Sequence, residues 1–400
     1  MEMSELTALL TPDGLRLLDG VGPLASTGDV AQAVSKLRAA GHSPDLVSAV
    51  VGQAHLRVRG AAKFGDFAER MLFTRAGYEQ ATRLGVAARH AGRMRRAGIE
   101  RVADLGCGIG GDSLAFAGAG LRVDAVDADE VTAAIAAYNL APFGADAAVH
   151  HGTAEEFAER FAADEQRTAI WLDPARRTAG HSETRRVAAS DYSPSLDWAF
   201  ELATRMPVGI KLGPALDRDL IPDDVEAQWV SVDGSVVELV LWSGLLAREG
   251  VRRAALVIRG DESHELTAAD DAADAEVRDL GPFLHEPDGS IIRARLIGDV
   301  ARSLDAGMLD EKIAYLTGDA AVTSPFVQTF RVREVMAANP KAINAVLRTH
   351  GIGRLEIKKR GMDIDPAQFR KKLNLSGPES ATLILTRVGD KRLAILADRV

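Results

Sequence analysis

The stretch Asp104-Leu-Gly-Cys-Gly-Ile-Gly-Gly-Asp112 is where this 400-residue chain carries chemistry in its spacing. Gly106, Gly108 and Gly110 between a predicted strand and a predicted helix let the backbone approach a ligand closely, and the helix start adds free N–H donors. Gly106, Gly108 and Gly111 also satisfy G-x-G-x-x-G, so the loop by itself points to a nucleoside ligand and leaves a nicotinamide dinucleotide open. Asp104, at the expected strand end, shifts the balance. A carboxylate there suits the cationic methionyl end of S-adenosylmethionine, directly or through water, and would repel a pyrophosphate. Asp127, followed by Ala128, closes the next predicted strand about 20 residues after the glycines, where an acid can accept both ribose hydroxyls. Both cofactor classes want that acid. Cys107 reads as a small residue in a tight turn, since nothing near it in sequence supplies the cation that activates a thiol.

These residues need a sheet to hold them. From Glu100 short apolar runs alternate with helical ones, the mark of strand-helix units feeding a parallel sheet. The predicted strands are Arg101–Leu105, Leu121–Val126, Ala147–His150, Thr168–Leu172 and Val208–Leu212, with helices starting near Gly111, Asp129, Thr153 and Ser193. Val225–Ser243 follows as two β-rich runs joined at Asp233-Gly234, a strong hairpin signal. By analogy at the level of fold alone, a parallel sheet finishing in an antiparallel hairpin fits the methyltransferase version of the doubly wound fold better than the dinucleotide-binding one. The first hundred residues read as helical, with capping candidates at Ser26-Thr-Gly-Asp29, a start at Ser43-Pro44 and a break near Gly77. Glu262–Asp279, acidic and rich in alanine, reads as an exposed loop or short helix. Beyond it come a turn at Glu286-Pro-Asp-Gly289 and a helical run after Ser290. The tail reads as strand Arg354–Ile357, helix Pro366–Leu373 and strands Ala381–Val388 and Arg392–Leu396.

Composition excludes several classes. With 46% hydrophobic and 26% charged residues the chain is globular, and no apolar run reaches the roughly 18 residues of a membrane span. The N-terminus lacks a signal-peptide pattern, so a cytoplasmic protein is expected. One cysteine forms no intramolecular disulfide and no multi-cysteine zinc site. His150 and His151, adjacent on a strand, point to opposite faces and make no metal pair, so no metal is expected. The net charge of −9 hides an asymmetry: residues 328–400 hold 15 Lys and Arg against 7 Asp and Glu, whereas residues 1–327 hold 33 against 50. That reversal suggests two jobs.

At the glycine loop the chain resembles class I methyltransferases. Asp104–Asp112, then Ala125-Val-Asp-Ala-Asp129 and Tyr138-Asn-Leu-Ala-Pro-Phe-Gly144, are similar to the cofactor region of the trimethylguanosine synthase-like group. Over the whole chain the sequence resembles bacterial methyltransferases that end in a THUMP-like domain, on Phe73–Thr82, Asp173-Pro-Ala-Arg-Arg177, Lys211-Leu-Gly-Pro214 and Arg354–Asp363 as well as the loop. The resemblance implies a Rossmann-like α/β sheet, an S-adenosylmethionine cofactor and an RNA substrate without naming the RNA; a base of rRNA or tRNA is the expected target. It also places Asp173, Pro174 and Arg176 where amino-directed nucleic-acid methyltransferases carry an Asp/Asn-Pro-Pro-aromatic loop. There the acid accepts a hydrogen bond from the target amine and the ring stacks on the base. Here Ala175 replaces the second proline and Arg176 the aromatic; a guanidinium plane can stack on a base. At the third strand, where many relatives hold the adenine amine with an acid, this chain has His150-His-Gly-Thr153, so Thr153 or a backbone group would serve.

In the tail, Lys358, Lys359 and Arg360, then Arg370, Lys371 and Lys372, form two cationic clusters suited to RNA phosphates. The expected organisation is a helical segment (1–95), an S-adenosylmethionine-binding α/β domain (96–260), a connecting α/β region (261–327) and a small basic α+β THUMP-like domain (328–400). The expected function is RNA methylation. Methylation of a protein or small molecule, and a non-catalytic RNA-binding protein that keeps the cofactor pocket, are the alternatives.

Overall fold

The computed structural model describes residues 1–161, 167–176 and 189–400. Only the backbone of Arg176 is described, and Arg177, the end of the Asp-Pro-Ala-Arg-Arg stretch, lies outside the described residues. The chain divides into two compact units, Met1–Leu212 with Asp217–Val225 and Leu241–Ala247, and Gly213–Leu216 with Glu226–Val240 and Arg248–Val400.

The first unit opens with helices α1 (Met3–Leu9), α2 (Pro12–Val21), α3 (Thr27–Ala39), α4 (Pro44–Phe64), α5 (Arg75–Gln80) and α6 (Leu84–Arg96). Ser26 and Asp29 form the capping box their spacing predicts, and Ser43 caps α4 with Pro44 in its first turn. The expected break near Gly77 is corrected: Gly77 lies inside α5, and the interruptions flank it, a 3-10 turn at Gly65–Arg70 with an extended, buried Met71-Leu-Phe73 before α5 and residues 81–83 after it.

Then strands and helices alternate: β1 (Arg101–Leu105), α7 (Gly111–Gly118), β2 (Arg122–Asp127), α8 (Glu130–Leu140), β3 (Ala147–His151), α9 (Ala154–Phe161), β4 (Thr168–Leu172), the two-residue pair β5 (Ala175–Arg176) and β6 (Tyr192–Ser193), α10 (Leu196–Ala203) and β7 (Val208–Leu212). The large strands lie in the order β7-β4-β1-β2-β3, all parallel. Every residue of β4 and β7 is buried, as strands covered on both faces must be. Register aligns their C-terminal ends: Leu105 lies opposite Val126 and Leu172, and Leu172 opposite Ile210. Asp127, Asp173 and Lys211 therefore emerge along one edge of the sheet, where open α/β folds bind ligands.

The second unit comprises β8 (Glu226–Val232), β9 (Ser235–Trp242) up to Val240, β10 (Arg253–Arg259), β11 (Glu262–Ala268), β12 (Phe283–Pro287), α11 (Gly289–Arg293), α12 (Ile297–Ser303), β13 (Gly307–Asp310), β14 (Ile313–Gly318), β15 (Val327–Ala337), α13 (Pro340–Thr349), β16 (Ile352–Lys359), α14 (Pro366–Arg370), β17 (Glu379–Val388) and β18 (Lys391–Arg399). The β8–β9 hairpin turns on Asp233 (φ 49°) and Gly234 (φ 81°), the left-handed pair that a two-residue turn requires. Glu262–Asp279 is corrected in part: β11 pairs with β10 across its full length. Its residues are mostly exposed, so an edge strand there shows no apolar alternation to read. A seven-stranded sheet, β13-β14-β12-β15-β18-β17-β16, forms the rest, with α13 and α14 over Leu355, Leu383, Leu385 and Leu396.

Asn139 of α8 links two segments that border the glycine loop. Its Oδ1 accepts from Leu72 N–H at 2.8 Å, and its Nδ2 donates to the carbonyls of Leu72 (3.0 Å) and Ile109 (2.9 Å). Asn139→Ala strands these buried groups and should lower the urea-unfolding free energy of the ligand-free protein by about 2–4 kcal/mol. A loss under about 0.5 kcal/mol would show that the backbone finds other partners.

Candidate active site

The turn from β1 into α7 is held by its own backbone. Gly106 (φ 95°) and Gly110 (φ 84°) adopt left-handed conformations, the second as the N-cap of α7. A side chain at Gly106 would meet the Asp173 carbonyl at 3.4 Å, so the loop and the end of β4 lie against each other. Gly106 and Cys107 both donate to Val126 O, at 2.8 and 2.9 Å. Burial, and then Asp104 and Asp127, push the Cys107 thiol well above its ordinary range, consistent with a structural role.

Asp127 sits at the end of β2, partly buried. Its Oδ2 accepts from Gly108 N–H and its Oδ1 from Asp129 N–H, both at 2.9 Å, while burial raises its pKa. Two oriented carboxylate oxygens beside an open glycine backbone can accept hydrogen bonds from a vicinal diol. Ala128 beside it is exposed. Thr153 does other work: with Glu156 it closes the first turn of α9, through N–H to Glu156 Oε2 at 3.2 Å and Glu156 N–H to Thr153 Oγ1 at 3.3 Å. His150 lies 3.4 Å from Asp124 and against the Phe157 ring, whereas His151 reaches Ala128 O. Among the described residues no group of three or more His, Cys, Asp or Glu is arranged to hold a metal ion.

Beneath the loop lies a buried charge cluster. Lys211, one residue before the end of β7, places Nζ 2.6 Å from Asp173 Oδ2, 2.8 Å from Thr82 Oγ1 and 3.6 Å from Asp112 Oδ2. Asp112, in the first turn of α7, also accepts from Thr82 Oγ1 at 2.8 Å and lies 3.0 Å from Nδ1 of His90. Burial pushes Asp112 upward, but Lys211 and then His90 outweigh it and hold the carboxyl at about 2. Asp104 fares the opposite way. It is 1% exposed, and burial, then Asp112, push it up to about 8 against the Ser113 hydroxyl, which donates to it at 2.5 Å. His90 stacks 4.6 Å from Trp171, the residue of β4 two before Asp173. Lys63 of α4 fixes the approach to Thr82 by donating to the carbonyls of Tyr78, Glu79 and Ala81 at the end of α5.

The structure thus brings together Asp104, Gly106, Gly108, Gly110, Asp127 and Asp173, with Pro174 buried behind the last. Sequence reasoning assigned no role to Thr82, His90, Asp112, Ser113 or Lys211. One signal was available: a lysine inside the otherwise apolar run Val208-Gly-Ile-Lys-Leu212 is buried and so requires an anionic partner. In the second unit the basic clusters split. Lys358 pairs with Glu286 at 2.6 Å, Arg360 donates to Ala314 O, and Arg370 donates to Leu355 O. Lys359, Lys371 and Lys372 are exposed and have no carboxylate within ion-pair distance among the described residues.

Comparison with known proteins bears on this site. Two proteins from strains of Mycobacterium tuberculosis, each described as an uncharacterized S-adenosylmethionine-dependent methyltransferase, are 32% identical over 342 residues, which is 84% of this chain and 91% of theirs. The chain belongs to the S-adenosylmethionine-dependent methyltransferases. A family model described as THUMP domain-like matches residues 327–399 of this methyltransferase, and a domain of unknown function matches residues 2–60. The fold recurs in a candidate methyltransferase from Porphyromonas gingivalis, with a TM-score of 0.71 at 20% identity over 94% of this chain and all of that one. The methyltransferase is α/β, with a parallel sheet, helices and a separate C-terminal sheet. Among the described residues, no helix is long and apolar enough to cross a membrane.

Asp104 has a measurable signature. Its folded pKa of about 8 exceeds the ordinary 3.8, so the folded methyltransferase holds a proton that the unfolded chain has lost between those values. Its contribution to stability is therefore complete below about pH 3.8 and is lost as pH rises through about 8. Asp104→Asn, which keeps the acceptor for Ser113 and cannot ionise, should melt above the wild type at pH 8, with the gap narrowing toward pH 5. Parallel melting curves across that range would contradict the assignment.

Proposed function

We propose that this methyltransferase modifies an RNA base, with the glycine turn and Asp127 holding the cofactor and Asp173 holding the nucleophile. The observation that carries the RNA reading is the basic C-terminal segment: a THUMP domain-like match over residues 327–399, in the part of an acidic chain where the charge reverses. A body with 33 cationic against 50 anionic residues gains little from phosphates, so a cationic module on the same chain has a purpose if the substrate is a polyanion. Lys359, Lys371 and Lys372, exposed and without carboxylate partners, suit phosphate contact, whereas Lys358, Arg360 and Arg370 also serve contacts within their own unit.

The residues present fit S-adenosylmethionine. The backbone at Gly108 has nothing within 4 Å of where a side chain would stand, and the Asp127 carboxylate matches the two donors of a ribose, whereas Asp104, buried and holding its proton to about pH 8, adds no anionic charge at neutral pH. When bound, the cofactor supplies a methyl group on a sulfonium, already activated for transfer to a nucleophile. The task of the protein is alignment and exclusion of water. Lys211 fixes one carboxylate oxygen of Asp173, so the acceptor is oriented before substrate arrives, and Asp173 receives a hydrogen bond from the nucleophile. The ion pair is locally neutral, which favours a neutral nitrogen over an ammonium. Pro174 stiffens the loop.

Asp127→Ala removes the diol acceptor and should raise the S-adenosylmethionine dissociation constant about tenfold or more by calorimetry; an unchanged constant would place the ribose elsewhere. For the substrate, the purified protein is incubated with methyl-labelled cofactor and total RNA from a strain lacking the gene, and the RNA is separated by size. Label is expected in one size class, and Asp173→Ala should lose at least about a hundredfold in rate with cofactor affinity retained. Absence of label from all RNA, with cofactor binding intact, would turn the reading toward a protein or small-molecule acceptor.

A further inference from the structure

The C-terminal sheet contains an open groove that the two cationic clusters foreshadowed only through Arg370. It has a volume of about 650 Å³, within the roughly 300–1,000 Å³ of ligand sites. Its floor is the edge of the seven-stranded sheet. Parallel pairing sets Arg354 of β16 opposite Ser380 of β17, and Glu356 opposite Thr382, while Leu355 and Leu383 alternate into the core below α13 and α14. Three arginines line the groove: Arg354 from β16, Arg399 from the end of β18, and Arg370 from α14, which donates to Leu355 O on the edge strand.

Two carboxylates share the groove, and both are already matched. Glu356 is held by Arg399 at 2.9 Å, with Lys358 at 3.9 Å, and Asp398 is held by Arg333 at 2.5 Å. Arg354 donates to the Ser380 hydroxyl at 3.1 Å and Arg370 to a carbonyl; neither has a carboxylate within ion-pair distance among the described residues. The groove therefore carries surplus guanidinium charge beside two hydroxyl-bearing side chains, which matches the oxygens of a phosphodiester. None of its lining residues is aromatic, so it has no platform on which a base would stack.

We infer that this groove grips the phosphodiester backbone of RNA without reading its sequence, leaving the choice of base to the methyl-transfer site. This rests on the RNA reading above and goes beyond it by naming the surface. The test measures binding of the full chain to fluorescein-labelled bulk tRNA and to mixed-sequence single-stranded RNA across a salt series. Arg354→Gln/Arg399→Gln is compared with a charge-matched pair at the β17–β18 turn, Lys391→Gln/Arg392→Gln, whose residues lie outside the groove and are exposed. The groove pair should lose about tenfold or more in affinity at low salt and flatten the salt dependence by about one to two units of slope, for either RNA, while the turn pair changes affinity less than about threefold. Should the groove pair melt early, Arg354→Gln alone, whose partner Ser380 is exposed, carries the same expectation at about half the effect on slope. Equal losses from the two pairs, or no loss from the groove pair, overturn the groove while the RNA reading stands. Failure of the wild type to bind either RNA overturns both.

Discussion

The active-site end of the sheet depends on a single buried ammonium. Three aspartates gather at the carboxyl edge of β1, β4 and the first turn of α7, two of them, Asp104 and Asp112, buried. Lys211 reaches two of them, Asp112 and Asp173, and Thr82 as well. Without a cation at that point, desolvation and mutual repulsion would drive the acids toward protonation. With it, Asp112 stays ionised to about pH 2, whereas Asp104, buried and repelled by Asp112, retains its proton to about pH 8 despite the Ser113 hydroxyl. One lysine thus sets different charge states on acids that share a small volume.

That lysine ties distant parts of the chain together. Thr82 precedes α6, His90 lies within it, Asp112 starts α7, Asp173 follows β4 and Lys211 belongs to β7. The helical N-terminal part is consequently a structural partner of the sheet: Lys63 anchors the segment that ends at Thr82, and Asn139 binds Leu72 and Ile109 together. Misplacing any of these would shift the glycine turn, because Ile109 is part of it.

This layout explains which features were legible in the sequence. The glycine turn, Asp104 and Asp127 could be read because a backbone that must adopt left-handed angles beside a strand end leaves few choices of residue, and because their separation along the chain is short. The strands β1, β4 and β7 were legible as short apolar runs that are also largely buried, whereas β2 and β3, more exposed, were legible through their alternation with helical stretches. The network around Lys211 was not, since its members are spread from Thr82 to Lys211: parallel register aligns Asp173 with Lys211, and helix packing brings Thr82 and His90 to Asp112. The polar edge strand β11 lacked any apolar signature, and β15 and α13 drew no assignment although their faces bury Phe330, Ile343 and Leu347. Charge clusters in the tail were visible as charge, but a sequence does not tell which lysine turns inward; Lys358 reaches Glu286, 72 residues away.

Electrostatics also divides the labour between cofactor and substrate. A site with more carboxylates than cations favours a sulfonium and an ammonium, the two positive centres of the cofactor, and disfavours phosphates close to it. The same acidity that suits S-adenosylmethionine therefore works against an RNA substrate. An RNA methyltransferase of this composition must gain its polyanion affinity elsewhere, and residues 328–400, with 15 cationic against 7 anionic side chains, are the part of the chain able to supply it. Such an enzyme would show salt-sensitive RNA binding and salt-tolerant cofactor binding. Its discrimination among bases would reside in the few groups around Asp173, because contacts to phosphate position a nucleic acid without reading it.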